Sequence, residues 1–216
     1  MDTLLFSFAN NQDRPLPMLW EEDQGISWLL TPRSSKQQIQ VLRDSYATTK
    51  TVANNIWYHR ETLALFHFSG HAGKTVLQLE DKVAEGKGIT VLQLEDKVAE
   101  GKGIADLLGL CKNLQLVFLN GCSTRQHIEL LRAAGVRAMV IATSTPVNDT
   151  VAKDFALRFY ETLVQQVSLQ QAIETVQGTF SVEEADILIE DLRGGNLDTS
   201  RAISRNQWYF ECLDTK

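Results

Sequence analysis

Two residues with reactive side chains, His71 and Cys122, each stand at a glycine-containing turn after an apolar run. His71 follows LALFHFSG, and Cys122 follows LQLVFLNG with a helical pattern soon after it. A thiolate is stabilised at the start of a helix, and a neighbouring imidazole can accept the thiol proton. We therefore expect Cys122 to attack a carbonyl group, with His71 as its general base or acid. Backbone N–H groups in the two turns, including that of Cys122, would hold the oxyanion.

Each of these two assignments has an ordinary alternative. Cys122 could be a small buried apolar residue, as free cysteines often are, and His71 could cap a loop. The position of Cys122 after Asn-Gly at the end of a strand favours the nucleophile.

The other histidines and cysteines are predicted to be structural or solvated. His67 lies inside the apolar run before His71, so we expect a packed or hydrogen-bonded core histidine. His127 falls on the helix after Cys122 and His59 in a polar loop, and both are expected to be solvated. Cys111 and Cys212 lack a glycine-flanked strand end, which indicates structural roles.

Short apolar runs alternate with longer amphipathic ones along the chain. Strands are predicted at residues 3–9, 37–46, 62–70, 114–121, 136–144 and 206–213, and helices at 17–30, 49–60, 104–111, 124–135, 148–166 and 168–180. Asp149 and Ser168 are candidate N-caps of the last two helices. This order predicts an α/β fold, a mostly parallel sheet of about six strands flanked by helices. The carboxyl ends of such strands carry the sites, which places His71 and Cys122 on adjacent strand ends.

Composition excludes several classes of function. The 216 residues carry a net charge of −6, and the basic residues are scattered, so direct binding to nucleic acid is not expected. No apolar run is long enough for a membrane span, and the N-terminus lacks the basic region of a signal peptide, which predicts a cytoplasmic protein.

Three cysteines without CxxC spacing argue against a disulfide framework and a zinc site. No phosphate-binding glycine motif follows a strand, so we expect neither metal nor cofactor.

Three segments resemble a known family: LALFHFSGHAG, LQLVFLNGCST and GVRAMVIATSTPVNDTVAKDFALRFYETLVQQVSLQQAIE. Over about residues 3–180 the chain resembles the CHAT domain, a caspase-like cysteine peptidase module related to separases, caspases and gingipains. The resemblance implies a caspase-hemoglobinase-like α/β/α sandwich in which His71 is the general base or acid and Cys122 the nucleophile. Many relatives have glycine after the histidine, where this chain has Ala72. The Ala72 N–H is still available as an oxyanion donor beside that of Cys122.

Asp149, in STPVND, has two competing interpretations. It could cap the helix that begins at Thr150. By resemblance to separases and gingipains, it could instead form the floor of the pocket for the substrate residue before the cleaved bond (P1). A carboxylate there would prefer arginine to lysine, because the guanidinium binds it through two hydrogen bonds.

Two functions from different classes follow from these features. The first is a cysteine endopeptidase with a Cys-His dyad that cuts a specific partner protein. The resemblance implies a prokaryotic defence or regulated cell-death module in which a sensor protein switches the enzyme on. The alternative is a catalytically silent caspase-like interaction or assembly domain, which is favoured by Ala72, by the short tail without a clear pattern after residue 180, and above all by the insertion described next.

An exact tandem duplication separates the two candidate catalytic residues. TVLQLEDKVAEGKGI occupies residues 75–89 and again 90–104, inside what we expect to be one peptidase domain over residues 1–216. Each copy is expected to form a short strand, TVLQLE, although LEDKVAEG could be helical. CHAT relatives have one such unit, so we expect the second copy to be redundant. Because natural repeats drift apart, the exact identity indicates a recent duplication or deliberate engineering, and the alternative is a true two-unit repeat with a selected role. Either copy could occupy the native place while the other forms an extended loop.

Overall fold

A mostly parallel sheet forms the centre of the molecule. The computed structural model describes residues 1–10, 14–80, 98–179 and 208–213. In these ranges the strands are β1 (Asp2–Ala9), β2 (Ile39–Asp44), β3 (Leu63–Gly70), β4 (Val76–Gln78), β5 (Val98–Glu100), β6 (Leu116–Asn120), β7 (Met139–Thr143) and β8 (Trp208–Cys212). The helices are α1 (Leu19–Ser35), α2 (Thr49–His59), α3 (Gly101–Leu108), α4 (His127–Ala133), α5 (Asp149–Leu163) and α6 (residues 169–179).

The described strands form one six-stranded sheet in the order β2-β1-β3-β6-β7-β8 and a separate antiparallel pair of β4 and β5. Within the large sheet the first five strands in this order are parallel, and β8 runs antiparallel to β7. Strands β3 and β6, which precede the two candidate catalytic residues, are direct neighbours. Their carboxyl ends therefore lie side by side at one edge of the sheet.

Both faces of the sheet are covered, as the continuous apolar strands require. Every residue of β3 and of β6 is buried. Alternate side chains point to opposite faces, so Phe66 and Phe68 join an apolar cluster with α2, α3 and α4, while Leu65 and Phe118 join one with α1, α5 and α6. The three layers are the α/β/α arrangement predicted from the sequence.

The predicted elements agree with the structure in order and type, and differ from it at their ends. The closing strand predicted at residues 206–213 is β8, and Ser168 caps α6 as expected, since its Oγ accepts the N–H of Gln171. Helix α1 continues through Pro32 to Ser35, beyond the predicted end at Leu30. None of the helices in the described ranges combines the length and apolar character that crossing a bilayer requires.

The duplicated segment contributes one strand from each copy. β4 belongs to the first copy, and the side chains of Leu77 and Leu79 are buried. Its partner β5 lies in the second copy, which continues into α3. The expectation that one whole copy would occupy the native place is therefore wrong, because the pair uses the first half of one copy and the second half of the other. Residues 81–97, and with them the predicted strand of the second copy, lie outside the described residues.

Candidate active site

His71 and Cys122 line one cleft at the carboxyl edge of the sheet. Strands β3 and β6 stay paired up to Ser69 and Asn120, and each candidate residue follows two positions later. The sequence-based prediction that the two turns meet is confirmed by this arrangement. The residues around the cleft are Leu16, Ser69, Gly70, His71, Asn120, Gly121, Cys122, Val147, Asp149 and Ala152.

The two turns approach each other more closely than side chains would allow. A Cβ atom on Gly121 would lie 2.7 Å from both the Gly70 carbonyl oxygen and the Ala72 Cβ atom. A Cβ atom on Gly70 would lie 2.5 Å from the Ala9 carbonyl oxygen. Contacts this short do not occur between real atoms, so glycine at position 121 lets the two turns pack together, and glycine at position 70 lets the His71 turn pack against β1.

The orientation of the His71 ring is fixed by a backbone carbonyl. Its Nε2 atom lies 2.5 Å from the carbonyl oxygen of Arg14. A carbonyl oxygen only accepts hydrogen bonds, so Nε2 carries the hydrogen, and in the neutral ring Nδ1 holds the free lone pair. The ring thus has one nitrogen held by the protein and the other available as a base.

The turn that carries Cys122 is held by two threonines. The Thr124 N–H donates to Thr143 Oγ1 at 3.2 Å, the Thr143 N–H donates to Thr124 Oγ1 at 2.9 Å, and Ser123 adopts a left-handed conformation with φ of 57°. The Cys122 thiol is half-buried, with Sγ 3.9 Å from the Val147 carbonyl oxygen. These bonds tie the cysteine turn to β7.

A helical segment begins soon after Cys122, as predicted. A single turn of 3-10 helix, Thr124–Gln126, comes first and continues directly into α4 at His127. Cys122 therefore lies two residues before the start of this segment.

Within the described part of the chain, the N–H groups expected to hold an oxyanion take no part in the hydrogen bonds that build the turns. Ala72 faces Leu77 of β4 in an antiparallel bridge whose hydrogen bonds are donated by the N–H groups of Gly73 and Gln78. Among the described residues, the hydrogen bonds that shape the two turns include none donated by the Ala72 or Cys122 N–H. The oxyanion role of these two groups remains a prediction that the backbone geometry permits.

Asp149 lines the cleft and does not cap α5. The N-cap is Asn148, whose side chain accepts the N–H of Thr150 at 2.9 Å, so the capping interpretation of Asp149 was wrong. Asp149 is the first residue of the helix, and its Oδ2 accepts the N–H of Met18 at 2.8 Å. The other interpretation, a pocket floor for a basic side chain, remains a prediction.

The remaining histidines divide into one confirmed prediction and two corrections. His67 is buried and hydrogen-bonded, as predicted. His127 is buried rather than solvated, because its Nε2 atom lies 3.2 Å from the Gly73 carbonyl oxygen and its ring packs against Gly101. Burial lowers the pKa of His127 below its usual 6.5, an effect that hydrogen bonds to backbone atoms partly offset. His59 ends α2 half-buried, where a polar loop was expected.

The other two cysteines lie away from the cleft. Cys111 is buried, and this burial raises the pKa of its thiol to about 11, consistent with the predicted structural role. Cys212 lies at the end of β8 with its side chain exposed. No group of three or more metal-binding side chains occurs among the residues that the structure describes.

Sequence reasoning missed a buried polar cluster directly beneath the cleft. Glu22 of α1 is only 2% exposed and hydrogen-bonds to His67, Ser69 and Asn120. The signal in the sequence was weak, since Glu22 stands in a run of three acidic residues that has the appearance of a solvated helix face.

Comparison with known proteins agrees with the fold. No curated protein matches the chain. Among solved structures, a secreted C11 cysteine protease from Bacteroides thetaiotaomicron, in complex with an irreversible peptide inhibitor, superposes with a TM-score of 0.58 at 11% identity. The match covers 98% of this chain and 66% of that protease, just under two thirds of its length, and shows a shared caspase-like fold. The profile of the CHAT domain matches residues 8–191, and the chain belongs to the CHAT domain family.

Proposed function

We propose that this protein is a cysteine endopeptidase in which Cys122 is the nucleophile and His71 the general base. The observation that carries the proposal is the shared cleft, in which His71 is held through Nε2 by the Arg14 carbonyl oxygen and keeps Nδ1 for chemistry. A base oriented by a third group beside a nucleophile is the usual arrangement for covalent catalysis by a thiol. Membership of the CHAT family supports the same chemistry.

The proposed reaction proceeds through a thioester. His71 Nδ1 takes the Cys122 proton, the sulfur attacks the carbonyl carbon of the scissile bond, and the N–H groups of Ala72 and Cys122 stabilise the oxyanion. Collapse of this intermediate breaks the C–N bond, and the imidazolium gives its proton to the departing amine. Water then attacks the thioester while His71 takes its proton, which releases the carboxylic acid and restores the thiol.

A basic P1 residue would suit the polar floor of the cleft. Asp149 places a carboxylate at the cleft, and one of its oxygens already holds the Met18 N–H. Asn120 also lines the cleft, and its buried Oδ1 atom has no donor among the described residues. Two acceptors, one of them charged, favour the fork of N–H donors on an arginine side chain.

A peptide-library digest tests the proposed activity. Wild-type protein and the Cys122→Ala variant are incubated with a mixture of peptides, and new termini are identified by mass spectrometry. Cleavage by wild type alone, predominantly after arginine, is the expected result. If neither protein cleaves in the presence of cell extract from a candidate host, and Cys122→Ala retains partner binding, the interaction-domain alternative is favoured.

We further propose that the substrate is one specific protein in a prokaryotic defence or regulated cell-death module. A separate sensor protein would switch the peptidase on inside the cytoplasm. This part rests on the family membership. Co-expression with genes adjacent to its own, with wild type and Cys122→Ala compared, would identify a protein that is shortened only when the thiol is present.

A further inference from the structure

Glu22 hydrogen-bonds to the last paired residues of both strands that lead to the site. Its Oε2 atom accepts a hydrogen bond from Ser69 Oγ at 2.9 Å, and its Oε1 atom accepts one from Asn120 Nδ2 at 3.0 Å. Ser69 and Asn120 are register partners on β3 and β6. Each precedes a candidate catalytic residue by two positions. One carboxylate therefore joins the two strands at the point where each leaves the sheet.

His67 supplies the third partner of this carboxylate. Its Nε2 atom lies 3.2 Å from Glu22 Oε1, and its Nδ1 atom lies 3.0 Å from the Tyr160 hydroxyl oxygen. Burial, followed by the negative charge of Glu22, raises the pKa of Tyr160 well above its usual 10.0, so the hydroxyl keeps its proton. A buried carboxylate is tolerated only where such donors replace water. Three donors from two strands thus fix its position.

Helix α5 is also bonded to this cluster, and it is tied to the start of α1. Asn120 Nδ2 also donates to the Ala152 carbonyl oxygen of α5 at 3.1 Å. The start of α1 is tied to α5 by the bond from the Met18 N–H to Asp149. The cluster therefore connects α1, β3, β6 and α5 around the base of the cleft.

We propose that Glu22 is a positioning residue of the site, which holds the His71 and Cys122 turns in the relative placement that proton transfer between them needs. Its effect on catalysis rests on the proposed function. Its effect on the order of the two turns is independent of that function and is measured separately.

The variant Glu22→Gln keeps the shape of the side chain and removes its charge. The new amide group would face Ser69 Oγ, which can accept as well as donate, so the fold is expected to persist. Asp23→Asn is the matched control, because Asp23 is the next residue and equally buried but bonds to Arg43 and Ser45. Ser69→Ala removes one of the bonds to Glu22 and serves as a milder variant should Glu22→Gln not fold.

Hydrogen-deuterium exchange and thiol alkylation together test the proposal. Loss of charge-assisted hydrogen bonds should speed exchange about tenfold in peptides that cover residues 69–73 and 120–124, in Glu22→Gln but not in Asp23→Asn. Ser69→Ala should change exchange in the same direction by a smaller factor. Alkylation of Cys122 by iodoacetamide, located by mass spectrometry, is measured in each background with and without His71→Ala. In wild type, His71→Ala should lower the rate of alkylation of Cys122. In the Glu22→Gln background, His71→Ala should change this rate much less.

The outcomes separate this inference from the proposed function. The role of Glu22 is overturned if exchange in the two turns is unchanged in both Glu22→Gln and Ser69→Ala. It is also overturned if Asp23→Asn raises exchange as much as Glu22→Gln does. If alkylation of Cys122 in the wild-type protein is indifferent to His71, the peptidase proposal fails, while the exchange rates still decide the role of Glu22. With a cleaved peptide available, a fall in kcat at constant KM would support positioning of the dyad, and unaltered kcat would contradict it.

Discussion

Ala72 and Leu77 face each other in an antiparallel bridge that joins the His71 turn to the first copy of the duplicated segment. The Gln78 N–H donates to the His71 carbonyl oxygen at 3.0 Å, and the Leu77 side chain is buried in the core. Strand β4 is paired in turn with β5 from the second copy. The placement of the candidate base thus depends on how the two copies divide their strands.

Removal of one copy should leave this arrangement intact and stabilise it. Deletion of residues 83–97 and deletion of residues 90–104 give the same protein, because the copies are identical. The connection from β4 to β5 then shortens from residues 79–97 to residues 79–82. Closure entropy favours the shorter loop by about 1 kcal/mol. Denaturant unfolding should show equal or higher stability in the deletion variant, and loss of the cooperative transition would contradict the redundancy of the second copy.

Proline substitution at equivalent positions of the two copies checks which copy supplies β5. Ala99, in the second copy, is paired with Leu77. Ala84 occupies the equivalent position in the first copy. Proline removes a backbone donor from a ladder. Ala99→Pro should therefore lower the free energy of unfolding, and Ala84→Pro should have little effect. The reverse pattern would show that the first copy forms the strand.

Gly121→Ala should disrupt the contact between the two turns. The added methyl group would meet the Gly70 carbonyl oxygen and the Ala72 side chain, and relieving such a clash costs about 2 kcal/mol. Gly103→Ala is the control, because a Cβ atom there has no neighbour within 4 Å. Thermal unfolding should show a lower Tm for Gly121→Ala and an equal or higher Tm for Gly103→Ala. Equal stability of Gly121→Ala and wild type would mean that the turns do not pack as described.

Substitutions at Asn148 and Asp149 should distinguish capping of α5 from binding of the substrate. Asn148→Ala removes the cap of α5 and should cost about 1 kcal/mol of stability without changing cleavage preference. Asp149→Asn keeps an acceptor for the Met18 N–H but removes the charge. Its kcat/KM for an arginine P1 substrate should fall about tenfold or more, with little change for a neutral P1 residue. An equal loss for both substrates would remove Asp149 from the P1 pocket.

Acid should destabilise the protein through His127. Because burial lowers its folded pKa below 6.5, the unfolded chain takes up a proton that the folded chain does not. This contribution to stability is present above about pH 6.5 and declines as the pH falls toward the lowered folded value. His127→Gln should flatten the loss of stability in urea titrations between about pH 7 and 5. His59→Gln, at a half-exposed position, is the control, and identical pH profiles for all three proteins would contradict this assignment.

The fold was predictable because its central strands, β3 and β6, are apolar on both faces, a pattern typical of a parallel sheet covered by helices. The proximity of His71 and Cys122 followed from the same reasoning, since adjacent parallel strands end at one edge. The ends of helices were less predictable. The predicted helix ended at Leu30, but α1 continues through Pro32 to Ser35.

The features that sequence reasoning missed depend on contacts between distant parts of the chain. Glu21, Glu22 and Asp23 are alike in sequence, and only packing against β3 and β6 buries Glu22 beneath the cleft. His127 is buried against the Gly73 carbonyl group and against Gly101, which belongs to the second copy of the duplicated segment. Identical copies also carry no local information about which of them pairs with β4.

The rate at which an irreversible peptidyl probe ending in arginine modifies Cys122 measures whether His71 activates the Cys122 thiol within their shared cleft. Wild type should be modified at Cys122, at least about 100-fold faster than the His71→Ala variant, which is the scale of general-base catalysis. Equal rates in the two proteins, or modification confined to Cys212, would contradict activation of Cys122 by His71.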